Sequence, residues 1–183
     1  PLTRKAAAQF LSERLCCFAS IGEGRLIAGF ASGLARYDVN SGQRELIAVL
    51  ESDQPTTRLN DGKLDRQGRL IFGTMDEGAD GPKSLGHVWS YDGHTPPRIL
   101  FGEVKISNSI CFSPDGRLMY FADTPARRID VFDYDIETGT PSNRRIFAEL
   151  KNDAGYPDGS TIDADGCLWN AEWDGGQIGR AHV

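Results

Sequence analysis

The sequence lacks any apolar run near the roughly 18–20 residues a membrane helix needs, which excludes a helical membrane protein. It also lacks a basic excess. Twenty Lys and Arg stand against 26 Asp and Glu, for a formal net charge of −6. A nucleic-acid binder normally carries a positive footprint, so the balance argues against that class and leaves room for a cation or a neutral sugar. No charged segment followed by an apolar one opens the chain, so no signal peptide is visible. Pro1 in place of Met marks a chain that is processed, trimmed or a fragment. Histidine is scarce: His87, His94 and His182 share no common spacing and read as structural or solvated. The four cysteines, Cys16, Cys17, Cys111 and Cys167, form no C-x-x-C pair. They read as reduced, partly buried thiols of a cytoplasmic protein. G-x-S-x-G, H-E-x-x-H and phosphate-loop patterns are absent. Helical periodicity is weak everywhere except Thr3–Leu15, which reads as a short helix or an extended outer strand.

What the chain does have is a repeat. Hydrophobic residues make up 39%, enough for a core, and the 21 glycines are not scattered at random. The tripeptide Gly-Arg-Leu occurs at Gly24, Gly68 and Gly116, with the variant Gly166-Cys167-Leu168. The spacings are 44, 48 and 50 residues. In three units the glycine closes a tight-turn sequence such as Asp65-Arg66-Gln67-Gly68, where its freedom at positive φ is needed. A β-rich run follows each turn: Leu26–Phe30, Leu70–Thr74, Leu118–Asp123 and Leu168–Glu172. Second strands follow, often ending in Tyr-Asp, then third strands such as Arg144–Leu150. One more short strand precedes the glycine, as in Ser109–Phe112. About four short antiparallel strands per unit of this length predict propeller blades rather than a β-sandwich. The fold expected is an all-β propeller, with residues 1–183 forming about four blades of a single domain incomplete at both ends.

A second regularity carries chemistry. Eight residues before the repeat glycines stand Cys16, Asn60, Asn108 and Asp158. Three successive units thus place an amide or carboxylate at one position, just before the first strand of the unit, which successive blades bring together at the propeller axis. Each residue singly reads as a turn cap. The shared offset favours a common site, and oxygen donors with few His suit a hard cation such as Ca2+ or Mg2+. Arg58 lies two residues before Asn60, on the same face of a strand. Its guanidinium suits the oxygens of a polyol or carboxylate, with a structural salt bridge as the competing reading. The acidic stretch Asp133–Gly139 matches no EF-hand spacing and reads as a solvated loop.

Three ordered segments resemble the SMP-30/gluconolactonase/regucalcin-like (LRE) family: Arg58–Met75, Ser107–Gly116 and Tyr156–Asp163 followed by Leu168-Trp169. Asp133–Asp135 with Ser142–Arg145 is similar to the same family. The resemblance implies a six-bladed propeller holding one divalent metal ion (Ca2+, Zn2+, Mn2+ or Mg2+) in the central channel. It implies hydrolysis of a small-molecule sugar lactone, gluconolactone-like, to the aldonic acid. By matching motifs, Asn108 and Asp158 correspond to metal ligands, and Asp158 also to the candidate catalytic base. Arg58 and Asn60 correspond to substrate-contacting residues. Glu77 lies near a further substrate position, in a register open by one residue. The family's first metal ligand, a Glu in a Glu-Gly-Pro-like segment, has no counterpart here; Glu23 sits in a turn and does not match.

The expectation is therefore a metal-dependent sugar lactonase without nucleic-acid or membrane partners, its oligomeric state left open. The alternatives are a non-catalytic calcium-binding regulatory propeller, or an inactive fragment that uses the same residues without turnover. A phosphotriester or aryl-ester hydrolase ranks last, because no histidine falls at the repeat offset.

Overall fold

The computed structural model describes residues 8–151 and 155–182. Among them stand fifteen β-strands, one 3-10 turn at Thr124–Ala126 and no α-helix. The first sheet holds β1 (Leu15–Ser20), β2 (Arg25–Phe30), β3 (Gly33–Asp38) and β4 (Arg44–Ala48). The second holds β5 (Thr57–Leu64), β6 (Leu70–Asp76), β7 (Gly86–Tyr91) and β8 (Arg98–Val104). The third holds β9 (Ser107–Phe112), β10 (Leu118–Asp123), β11 (Arg128–Asp135) and β12 (Thr140–Glu149). The fourth holds β13 (Tyr156–Ile162), β14 (Cys167–Trp173) and β15 (Gln177–His182). Every sheet is an antiparallel meander in chain order. The first strands β1, β5, β9 and β13 pack side by side, so the four sheets are successive blades around a common axis.

The repeat glycines adopt the left-handed backbone their turns require, with φ of 75°, 85°, 75° and 84° at Gly24, Gly68, Gly116 and Gly166. Their turn is the first hairpin of each blade, not its entrance. The strand before the glycine is therefore the innermost strand. The residues eight positions back lie within that strand rather than just ahead of it. Of the stretch Thr3–Leu15, residues 3–7 lie outside the described ones. Residues 8–14 are neither helix nor strand, and Leu15 opens β1. The Tyr-Asp strand ends are caps. Asp38, Asp92 and Asp135 each accept two backbone N–H bonds from the turn that follows.

Successive residues on a strand face opposite sides, so each central blade buries both faces. On β6, Ile71 packs with Val88, Ile110, Met119 and Phe121 toward the third blade. Its neighbour Phe72 packs with Cys17, Leu34 and Leu59 toward the first. Cys111, Tyr120, Val131 and Leu168 fill the space between the third and fourth blades. Each such large apolar side chain, fully buried, contributes about 1.5–3 kcal/mol. Polar ties cross the same boundaries: Tyr134 Oη donates to Asp65 Oδ2 at 2.9 Å, and Arg66 Nε donates to the Ser113 carbonyl at 3.0 Å. No helix among the described residues is long and apolar enough to cross a membrane.

Candidate functional site

All four innermost strands carry an irregularity in their pairing at the same place. In β1 it falls at Cys16, between Leu15 and Cys17. In β5 the pairing runs Leu59↔Thr74 and then Gly62↔Phe72, so Asn60 and Asp61 together oppose Gly73. In β9 the extra residues are Ser109 and Ile110, directly after Asn108. In β13 they are Asp158 and Gly159. A bulge frees backbone groups from the ladder and re-aims side chains. Here it turns the polar residues of successive blades toward one another. Ser109 takes φ +60° to do so.

The residues form one connected network. Arg58 Nη1 donates to Asn60 Oδ1 at 3.0 Å and to the Leu59 carbonyl at 2.8 Å. Asn60 Nδ2 donates to the Ser107 carbonyl at 2.9 Å and more weakly to Asn108 Oδ1 at 3.3 Å. Asn108, 7% exposed, donates from Nδ2 to Thr124 Oγ1 at 2.8 Å. Thr124 Oγ1 in turn donates to the Pro157 carbonyl at 2.9 Å. Ser109 Oγ donates to the Asp158 carbonyl at 2.6 Å, and buried Asn170 donates to Ser109 Oγ at 3.0 Å. The third blade thereby fixes the backbone of β13 on both sides of Asp158. The Asp158 side chain has no hydrogen-bond donor among the described residues, which leaves both carboxylate oxygens available.

Glu77 follows β6 and closes the rim. Arg58 Nε donates to Glu77 Oε2 at 2.8 Å. Arg14 forks onto the same carboxylate, Nη1 to Oε2 at 2.9 Å and Nη2 to Oε1 at 2.6 Å. The Arg14 hydrogen bonds, then those of Arg58, pull the Glu77 carboxyl down to about 2. The salt-bridge reading of Arg58 and its place beside Asn60 are thus both realised.

Four contributors escaped the sequence reading. Asp61 accepts from Gly62 N at 2.8 Å and from Ile110 N at 2.9 Å, the latter freed by the β9 bulge. Burial pushes its carboxyl up, and the nearby charge of Asp158 adds to the rise. Thr124 and Ser109 support Asn108 and Asp158 from behind. Arg14 had a visible signal. It lies ten residues before Gly24, as Arg58 lies ten before Gly68. Cys16, at the equivalent of Asn60, places its sulfur 4.0 Å from Arg58 Nη1.

The described residues hold no group of three or more His, Cys, Asp or Glu able to bind a metal. The donors that the sequence reading assigns would be an amide oxygen on Asn108 and the carboxylate of Asp158, which has no hydrogen-bond donor among the described residues. Oxygen donors beside two mutually repelling carboxylates fit a hard divalent cation, which takes oxygens from amides, carboxylates and water alike. Two such ligands would leave the remaining positions to water, substrate or further residues.

The model of the SMP-30/Gluconolactonase/LRE-like region matches residues 2–182. L-arabinolactonase of Azospirillum brasilense is 43% identical over 172 residues, 93% of this chain and 57% of that protein. Regucalcin of Xenopus laevis is 38% identical over 138 residues, 73% of this chain and 46% of that protein. Among solved structures, a calcium-binding protein, regucalcin, from Agrobacterium tumefaciens superposes with a TM-score of 0.83 at 33% identity. That alignment covers 96% of this chain and 62% of that one. A luciferin-regenerating enzyme superposes with a TM-score of 0.86 at 29% identity, covering 94% and 60%. The chain thus spans roughly half to three-fifths of the length of these relatives. With a β-propeller fold, a family match over almost every residue and relatives this similar, the chain belongs to the SMP-30/Gluconolactonase/LRE-like family.

Proposed function

We propose that the whole protein hydrolyses a sugar lactone to its aldonic acid, with one divalent cation in the channel. The observation that carries this reading is the convergence of Arg58, Asn60 and Asn108 in one hydrogen-bonded chain, with the backbone of Asp158 tied to the neighbouring Ser109 and its carboxylate unpartnered among the described residues. Curated relatives named L-arabinolactonase and 6-deoxy-6-sulfogluconolactonase support the substrate class.

Asn108 Oδ1 and the Asp158 carboxylate would hold the cation, which when bound polarises a carbonyl oxygen and acidifies water. Arg58 presents Nη2 to the substrate. This nitrogen has no hydrogen-bond partner among the described residues, while Nε and Nη1 are committed to Glu77, Leu59 and Asn60. Glu77 stays ionised at every ordinary pH and accepts hydroxyl hydrogens of the sugar. Asn60, its amide nitrogen turned to Ser107 and Asn108, holds Arg58 Nη1 through Oδ1. An Asp158 oxygen takes a proton from the water as its oxygen bonds to the carbonyl carbon, and returns that proton to the ring oxygen as the carbonyl carbon–ring oxygen bond breaks, so the ring oxygen leaves as a hydroxyl of the acid.

The test is hydrolysis of a panel of aldonolactones by the intact protein, with and without added divalent ions after chelation. Asp158→Ala should lose activity by at least about 100-fold and weaken cation binding measured by calorimetry. Unchanged hydrolysis in Asp158→Ala would sink the mechanism. Cation binding without turnover of any lactone would point to a non-catalytic calcium-binding role.

A further inference from the structure

At the rim of the site, Arg14 lies outside the residues that would meet substrate or cation. Arg14 and Arg58 occupy equivalent positions in consecutive blades, each two residues before the channel-facing position. Their side chains meet on one carboxylate. Arg14 engages both oxygens of Glu77, and Arg58 Nε shares Oε2. From there the hydrogen bonds run without a break through Arg58 Nη1 to Asn60 Oδ1, and from Asn60 Nδ2 to Asn108 Oδ1.

As a stabilising contact the outer pair is worth little. Arg14 is 59% exposed and Glu77 39%, and exposed ion pairs add little to stability because water screens them. As a geometric device it does more. Arg58 alone holds Glu77 by a single bond, about which the carboxylate can swing. The fork from Arg14 removes that freedom, because a guanidinium and a carboxylate joined at two points are coplanar. With Glu77 locked, Arg58 Nε is locked, and the free Nη2 of Arg58 points one way. We infer that Arg14 is a positioning residue that sets the selectivity of the site for polyhydroxylated lactones, by holding Glu77 and Arg58 in register for the ring hydroxyls. This rests on the lactonase reading, and the hydroxyls are the substrate feature it adds.

The experiment compares Arg14→Gln and Arg14→Lys with the unaltered intact protein on two substrates, an aldonolactone and δ-valerolactone, which has the lactone ring but no hydroxyls. For Arg14→Gln, KM for the aldonolactone should rise about three- to tenfold with kcat nearly unchanged, the size expected for a partly exposed charge-assisted contact. KM for δ-valerolactone should not move. Arg14→Lys, which reaches one oxygen only, should fall between. Thermal unfolding midpoints should agree among the three proteins, since the pair is exposed. Equal effects on both lactones, or no effect on either, overturn the inference. If the unaltered protein hydrolyses no lactone, the reading of the activity fails, and a second measurement still decides on Arg14. Solvent exchange of the Arg58 Nε proton, followed by NMR, should speed up about tenfold in Arg14→Gln as Glu77 comes free. Unchanged exchange would show that Arg14 holds nothing in place.

Discussion

Gly73→Ala is the substitution from which the structure expects most. Gly73 sits on β6 opposite the Asn60–Asp61 bulge of β5 and against Ser107 of β9. A Cβ there would overlap both Oγ and Cβ of Ser107, far inside the 3.0 Å that real Cβ contacts respect. Ser107 is fully buried and its Cβ lies within the overlap, so rotating its hydroxyl relieves nothing. The strand itself must retreat, by more than about 1 Å to reach ordinary contact distance. That motion carries the Ser107 carbonyl and Asn108 away from Asn60, whose amide bridges to both. Overpacking of this kind costs about 3 kcal/mol, the upper part of its usual range. A displacement near 1 Å at a reacting site costs about 100-fold in rate. Urea unfolding and the proposed lactone hydrolysis of the intact protein measure the two losses. The double variant Gly73→Ala/Ser107→Gly removes the obstructing atoms. It should recover about 2 kcal/mol relative to the sum of the single changes, as contacting residues that share one space do. Additive effects in the double variant, or a Gly73→Ala protein within about 0.5 kcal/mol of the parent, would refute this account of how the second and third blades meet.

Two further outcomes follow from charge and burial. The Glu77 carboxyl is depressed from 4.5 to about 2, so its contribution to the fold is present above the unfolded value and is lost as pH falls through about 2. Carbon NMR of its side chain should show one titration below pH 3, moving toward the ordinary value in Arg14→Gln; a midpoint near 4.5 in the unaltered protein would contradict the two-arginine clamp. Burial pushes the thiols of Cys17 and Cys111 to about 12. Iodoacetamide at pH 8 should leave both untouched in the native protein and label all four cysteines in urea, as read by peptide mass spectrometry.

Local chemistry made much of this legible without coordinates. The repeat glycines are needed for positive φ, and the Asx residues of the turns accept backbone N–H bonds, wherever the chain goes afterwards. Because those requirements recur with a period, the period exposes the blades and the position on each blade that faces the axis. Arg58 and Asn60 were visible as a pair for the same reason, two residues apart on one strand. The placing of Glu77 came from resemblance, and its ion pairs with Arg14 and Arg58 are contacts that only the fold displays.

The sequence by itself determined the blade repeat, the turns that punctuate it and the set of oxygen-bearing residues at one offset, because each depends on neighbours within a few residues. The tertiary structure alone decided what those residues do to one another. That Asp61 takes up the N–H freed at Ile110, that Gly73 leaves room for Ser107, and that Arg14 meets Glu77 across two blades are contacts between segments 34 to 63 residues apart. No local rule predicts such pairings. They exist because bulges in the inner strands turn polar groups toward an axis that forms only when the blades pack.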